Sequence, residues 1–432
     1  MVGGNADTIS GRCDSVGRAC VVGAGLSGVA IARALAGRDV PFDCFDRRSE
    51  IGGLCASSAA PRLDVSKERL QFSDWPMPGS YPRLPSARHL AAYLRDYCDR
   101  FKLRARIQLE SEVRRASRRA EGGWEVELDT GERRTYSTLL VAAGRRGRPL
   151  RRAVPGDFAG EQREGSPPPR REELAERDIL VVGEGSEACE LATEASYVAR
   201  STLLSLNRPL YLLPQIAAGR PLDSVPGLDY LRGKAVSWGG LSAPLSRRLR
   251  RRALEALHSV IAPPELYGLV RRDVPPAEAR MLPAPQLLER LLHGRVDVRA
   301  ALTRLDGELV HFADGSAASV DLIVWCGSRP RFPFLPPASE RATEPLLGVF
   351  ASPDLAFFGL VEPVAGSPTA IAELQAAWAA RALIGDYALP DVDRGAGACP
   401  GSRLMRVGQF EYARDVEREM NAGHRRARLR VA

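Results

Sequence analysis

The hydrophobic positions of this chain fall twice into the same short pattern. Ala19-Cys20-Val21-Val22 is an unbroken apolar run of strand length, the turn Gly23-Ala24-Gly25-Leu26-Ser27-Gly28 follows it, and Val29 to Leu35 continues with helical spacing. The second copy begins at Arg177-Asp178-Ile179-Leu180-Val181-Val182, turns through Gly183-Glu184-Gly185-Ser186-Glu187-Ala188 and runs on as a helix from Cys189 to Ala195. Runs that stay apolar instead of alternating predict strands buried on both faces, as in a parallel sheet. Each copy leads into a further strand, Phe42 to Phe45 in the first and Ser201 to Leu206 in the second. Two more apolar runs, Tyr136 to Gly144 and Val320 to Gly327, echo one another and end in glycine.

Strand, glycine turn and helix in that order make a nucleotide-binding unit for physical reasons. The first glycine allows the tight turn, the second lets backbone approach a pyrophosphate, and the third lets helix pack on strand, while the helix N-terminus attracts the phosphates. In the first copy the following strand ends at Asp46, 21 residues beyond Gly25, where a carboxylate accepts from a ribose hydroxyl. The plain alternative is a glycine-rich turn in some other doubly wound sheet. In the second copy the third glycine is Ala188, and the next strand ends at Asn207-Arg208, 23 residues beyond Gly185. A cation there suits a 2′-phosphate, and therefore NADP over NAD. Glu184, inside the phosphate turn, counts against this, because a carboxylate repels a pyrophosphate.

Composition narrows the class. With 432 residues, 44% hydrophobic and 26% charged, the chain has the balance of a soluble globular protein of two or three domains. No apolar stretch reaches spanning length and the N-terminus lacks the pattern of a signal peptide, so a cytoplasmic protein without membrane partners is expected. All but three of the 61 basic residues are arginine, the exceptions being Lys67, Lys102 and Lys234, and the net charge is +8. The arginine runs at 145–152, 247–252 and 425–430 lack interleaved aromatic residues, which argues for solvated faces and against nucleic acid as a partner. The eight cysteines show no Cys-x-x-Cys pair and no zinc spacing, so free thiols and no metal site are expected. The five histidines are scattered without partners in sequence. Gly165 to Arg171 is Pro-rich and reads as a domain boundary, and 215–300 is loop-rich and basic with a helical patch at 246–260. Gly366-Ser367-Pro368-Thr369 carries the cap and early proline of a helix N-terminus, and Phe410 to Met420 has a helical pattern with no evident partner.

From about residue 19 to about residue 390 the chain resembles the flavin-containing monooxygenases. The likeness is carried by Gly23 to Gly28; by Phe45-Asp46-Arg47-Arg48 leading to Ile51-Gly52-Gly53-Leu54; by Leu70-Gln71-Phe72-Ser73-Asp74-Trp75-Pro76-Met77-Pro78; by Gly183 to Ala188; by Ile323-Val324-Trp325-Cys326-Gly327; and by Leu355 to Gly359 through Glu373-Leu374-Gln375-Ala376. The resemblance implies an α/β protein with two Rossmann-like dinucleotide-binding domains, the FAD domain (1–160 and 320–432) being discontinuous around an inserted NADPH domain (170–319). It implies FAD held by Gly23, Gly25, Leu26, Ser27, Gly28, Asp46, Arg47, Gly53, Leu54, Gly327 and Gln375, and NADPH held by Gly183, Gly185, Ser186, Glu187 and Arg208. It implies O2 and a small-molecule substrate as partners and oxygen transfer from a flavin C4a-(hydro)peroxide to a nitrogen or sulfur nucleophile; the oligomeric state is not legible in the sequence, and a homodimer is the assembly to look for. The helix after Gly366 points at the flavin ring in the family, where its N-terminus favours the anionic reduced flavin.

Two departures qualify that picture. The family pattern Phe-x-Gly-x-x-x-His-x-x-x-aromatic starts with Phe158 and Gly160 but has Glu164 at the histidine position and Pro168 at the aromatic one. The place of a family asparagine near the nicotinamide falls on Asp64, with Ser66 and Lys67 beside it, and these three are the candidate catalytic residues. A carboxylate at 64 serves as a base towards an amine, and its charge works against a peroxide anion, hence against Baeyer-Villiger oxygenation of a carbonyl. A protein that keeps FAD but has lost productive use of NADPH, an oxidase or a non-catalytic relic, is the competing reading. Cys55 adjoins the flavin motif without a second thiol, and Trp75 and Met77 either line a substrate pocket or pack.

Overall fold

The computed structural model describes residues 17–57, 62–145, 148–149, 153–217, 219–224, 252, 280–336, 345–390 and 405–431. The chain divides into two compact units, Met1–Arg145 with Pro330–Ala432, and Arg146–Arg329. The boundaries therefore differ from those expected near 160–170 and 320. The reason lies in strand pairing, since both Glu161–Glu164 and Leu322–Trp325 hydrogen-bond within the sheet of the second unit. The Pro-rich stretch 165–171 lies inside that unit, not at its edge. The helical patch expected at 246–260 and most of the arginine runs at 145–152 and 247–252 fall outside the described residues, as do Cys13, Cys399 and His258.

The first unit opens with β1 (Ala19–Val22), α1 (Leu26–Ala36) and β2 (Phe42–Phe45). Next come α2 (Lys67–Leu70), α3 (Ala87–Arg100) and β3 (Ile107–Gln108), then an antiparallel layer of β4 (Val113–Arg118), β5 (Trp124–Leu128) and β6 (Arg133–Tyr136), and finally β7 (Thr138–Val141). β1 lies between β2 and β7, parallel to both, with Ala19 opposite Phe42 and Thr138. All four residues of β1 and all four of β7 are buried, which is why neither run alternates. β5 does alternate, turning Trp124, Val126 and Leu128 inward, as a sheet with one wet face requires.

The second unit repeats the plan with β8 (Glu161–Glu164), β9 (Asp178–Val182), α4 (Ser186–Ala195), β10 (Ser201–Ser205), β11 (Asp297–Arg299), an antiparallel trio β12 (Leu302–Asp306), β13 (Leu309–Phe312) and β14 (Ala317–Ser319), and β15 (Leu322–Trp325). Its sheet runs β11-β10-β9-β15-β8 and is parallel throughout. In such a sheet ligands bind beyond the carboxyl ends of the strands where the order reverses, here beside β9.

The chain then completes the first unit. β16 (Phe350–Ser352) and β17 (Leu355–Phe357) extend its sheet to the order β16-β17-β7-β1-β2-β3. α5 (Pro368–Leu383) starts as the sequence predicts, with Pro368 in its first turn and the Ser367 hydroxyl accepting from the Ala370 amide at 2.9 Å. The helical pattern seen at 410–420 belongs to a longer helix, α6 (Gln409–Val431), and its partner is α5. The Tyr412 hydroxyl accepts from Gln375 Nε2 and donates to the Leu347 carbonyl, both at 2.8 Å, and Gln409 Oε1 accepts from the Ser367 amide at 2.7 Å. No helix among the described residues is long and apolar enough to cross a membrane.

Candidate functional site

The first cradle is built where β1 gives way to α1. Gly23 has φ +106°, and a Cβ on it would strike the Ala142 carbonyl oxygen. A Cβ on Gly28 would overlap the Gly23 carbonyl oxygen and lie 2.8 Å from its carbon, so the helix can approach the strand only as glycine. Gly25, the residue that caps α1, is different. A Cβ there would meet Gly53 Cα at 3.6 Å, an ordinary contact, so the packing of the protein does not demand glycine at 25. The free space faces outward from a helix N-terminus that has no side-chain cap and no acidic residue in its first turn, formed by Leu26, Ser27 and Gly28. That geometry fits a pyrophosphate.

Asp46 closes the turn from the other side. Its Oδ2 accepts from the buried Ala24 amide at 2.7 Å and its Oδ1 from the Arg48 amide at 2.9 Å. Each oxygen keeps lone-pair capacity for a further donor such as a ribose hydroxyl. Gly53 and Leu54 sit in a short 3₁₀ turn, Gly53–Ala56, that approaches Gly25. Gly52, which the sequence-based selection of site residues passed over, is equally constrained, since a Cβ on it would stand 2.9 Å from Ala91 Cβ. Arg47 is largely exposed and pairs loosely with Glu112 at 3.9 Å.

The second cradle has the same logic with different residues. Gly183, at φ +154°, is hemmed in by Cys326, and Ala188, fully buried, fills the place of the third glycine. Gly185 caps α4 and Ser186 is its first residue. Of the two carboxylates in this turn, Glu187 is committed internally, its Oε2 accepting from the Gly327 amide at 3.1 Å. This joins two residues expected to touch cofactor into a tie between helix and strand end. Glu184 pairs with Arg208 at 3.9 Å. The repulsion expected of Glu184 therefore meets a counter-charge on the very residue expected to bind a 2′-phosphate.

The segment expected to carry catalysis is sorted by its contacts. Lys67 Nζ donates to the carbonyls of Gly79 and Tyr81 at 3.2 and 3.3 Å, so its ammonium holds the following loop. Ser66 is fully buried at the start of α2. Asp64 has a side chain only 14% exposed, 3.4 Å from Arg62. Burial pushes its carboxyl above the usual carboxylate range, and the Arg62 guanidinium opposes the shift without cancelling it. Gln375 lies inside the first unit. It is fully enclosed, and its amide nitrogen is bonded to Tyr412 in the α5–α6 contact.

Within 71–78, residues 72–75 are fastened by bonds to distant parts of the chain. Tyr93 accepts from the Phe72 amide at 2.8 Å and donates to the Trp75 carbonyl at 2.5 Å, with the Trp75 and Tyr93 rings stacked 5.3 Å apart. Asp74 accepts from the Tyr97 hydroxyl at 2.7 Å and from Arg33 at 3.0 Å. Glu373, on α5, accepts from both the amide and the hydroxyl of Ser73, at 2.8 and 2.7 Å, and burial raises its carboxyl pKa. Trp75 thus packs on Tyr93, and Met77 is buried in the core of the first unit. None of these pairings is legible in the sequence, because each joins residues far apart in the chain. Among the described residues Cys20, Cys44, Cys98 and Cys326 are free thiols, and no group of histidine, cysteine and acidic side chains could hold a metal.

The sequence matches the family model described as FMO-like, flavin-binding monooxygenase-like, over residues 16–395. It is 27% identical over 412 residues to the N-oxide-forming dimethylaniline monooxygenase 2 of Rattus norvegicus, an alignment that covers 87% of this chain and 75% of that protein. The solved structure of S-allyl-L-cysteine S-oxygenase from Allium sativum shares the fold with a TM-score of 0.63 at 18% identity, over 94% of this chain and 88% of that one. An oxidized steroid monooxygenase bound to NADP shares it with a TM-score of 0.61 at 17% identity, over 94% and 98%.

Proposed function

The chain belongs to the flavin-binding monooxygenase-like family, and from that premise we propose that it uses FAD, NADPH and O2 to oxygenate a nitrogen nucleophile of a small metabolite. Membership makes it a flavin-dependent monooxygenase whose cofactors are FAD and NADPH. When bound, FAD supplies the two-electron redox chemistry that draws on NADPH and activates O2. The observation that carries the reading is the pair of cradles on one chain, one closed by the acid Asp46 and the other read out by the cation Arg208. Gly25 to Gly28, Gly53 and Asp46 hold the first dinucleotide; Gly183 to Ala188 and Arg208 hold the second.

The preference for nitrogen rests on Asp64 and on the named reaction of the rat relative. An amine is protonated near neutral pH and its lone pair is unavailable until the proton leaves. A half-buried carboxylate whose pKa is raised towards neutrality is suited to take it. The sign follows directly. Activity falls as pH drops through the raised Asp64 value, because the protonated acid no longer accepts. Asp64→Asn is expected to lower kcat for an amine by about a hundredfold, the lower end of general-base effects. It should also remove the acidic limb of the kcat profile while leaving flavin content unchanged. An unaltered profile in the variant would rule Asp64 out as the base.

The function itself is tested by spectroscopy of the flavin-loaded protein. Anaerobic NADPH should bleach the oxidised flavin band, and mixing with oxygenated buffer should then restore it slowly alone and faster with an amine present. Failure of NADPH to bleach the flavin would overturn the reading in favour of an oxidase or relic. Acceleration by thioethers or ketones but not by amines would overturn the choice of nitrogen.

A further inference from the structure

The glutamate inside the phosphate turn is the one feature of the second cradle that nucleotide binding does not explain. Its backbone is fixed on both sides, by Gly183 at φ +154° against Cys326 and by Gly185 as the residue that caps α4. Its side chain is only 17% exposed, and its counter-ion Arg208 stands three residues beyond the end of β10 with a side chain 67% exposed. The other acid of the turn, Glu187, is turned inward to the Gly327 amide, so among the described residues Glu184 is the acid that pairs with the arginine. Resting on the NADPH reading above, we propose that Glu184 is a specificity determinant that occupies Arg208 in the free protein and must be displaced from it by the 2′-phosphate of the incoming nucleotide.

Glu184 and the 2′-phosphate compete for one cation. A partly buried carboxylate without a counter-charge is costly, whereas an exposed guanidinium is free to turn to a better partner. A phosphate carries more charge and more acceptor oxygens than a carboxylate, so it wins Arg208, but only after the existing pair is broken and with Glu184 left beside it. Glu184 thereby weakens 2′-phosphorylated nucleotides specifically. A nucleotide without that phosphate leaves the pair intact and is indifferent to the glutamate. The alternative, that Glu184 simply repels the pyrophosphate, acts on every nucleotide alike, and the two differ in what they predict for ligands with and without the 2′-phosphate.

The test is equilibrium calorimetry on the flavin-loaded protein at low ionic strength, with adenosine 2′,5′-bisphosphate and adenosine 5′-monophosphate as ligands. Glu184→Gln should tighten the bisphosphate about three- to fivefold, the reach of an exposed ion pair, and leave the monophosphate unchanged. The gain should shrink as salt screens the pair. Equal tightening of both ligands would assign Glu184 to pyrophosphate repulsion and overturn the proposal, as would no change or weaker binding of the bisphosphate. Arg208→Ala separates this from the underlying reading: it should erase the difference between the two ligands. If that difference survives in Arg208→Ala, the assignment of the second cradle to a 2′-phosphorylated nucleotide fails, whatever Glu184 does.

Discussion

Alanine at Gly28 is expected to yield a protein that purifies without flavin and unfolds several degrees lower than the flavin-free parent. The added Cβ would overlap the Gly23 carbonyl oxygen, and Gly23 is itself tied to the sheet, its amide donating to the Phe45 carbonyl at 2.7 Å. The obstacle is backbone, so α1 must move off β1, and overpacking of this kind costs about 1–3 kcal/mol. Alanine at Gly25 is the informative contrast. Its Cβ would make only an ordinary 3.6 Å contact with Gly53, so the flavin-free protein should unfold at the parental temperature. The methyl group would nevertheless stand where a pyrophosphate meets the amides at the start of α1. Losing one or two charge-assisted hydrogen bonds should weaken FAD about a hundredfold, read by flavin absorbance per protein and by titration of FAD into stripped protein. Stoichiometric flavin in Gly25→Ala would show that the cradle is not where the dinucleotide binds.

These two glycines also mark what could be read in the sequence. The turn was legible because its requirements are local: Gly28 answers to Gly23 five residues back, Gly25 to the space at the start of its own helix, and apolar runs of strand length announce the parallel sheet. Asp46 was legible for the same reason, lying at the end of the strand that the turn serves. The fate of other side chains depended on partners that no local pattern names. Lys67 looks like a charge in a catalytic segment until the carbonyls of Gly79 and Tyr81 are seen around it. Gln375 belongs to a motif but is claimed by Tyr412, a residue beyond the span of the likeness. Ser73 meets Glu373 across 300 residues of chain. The allegiance of one strand was hidden for a related reason: the run Leu322–Trp325 has the composition of any buried strand, and only its pairing with β9 ties it to the second unit. Periodicity gives the element, whereas tertiary contact gives its allegiance.

Asp46→Ala should be the most damaging single change at the first cradle outside the glycines, and its effect should appear even before flavin is added. A carboxylate that served only as a ribose ligand would leave the flavin-free protein as stable as the parent. Here the carboxylate also accepts from the Ala24 amide at 2.7 Å, at a residue that is wholly buried, and from the Arg48 amide at 2.9 Å. Removing it orphans a buried donor, which costs about 1–3 kcal/mol, and lets the turn between β1 and α1 lose its anchor on β2. The expected result is a lowered unfolding temperature for flavin-free Asp46→Ala and no retained flavin after purification. Asp46→Asn keeps one carbonyl acceptor and should fall between, recovering most of the stability but little of the FAD affinity, because its amide group cannot serve two backbone donors and a ribose hydroxyl together. If flavin-free Asp46→Ala instead unfolds with the parent, the tie to Ala24 contributes nothing to the fold, and Asp46 acts on the ribose alone.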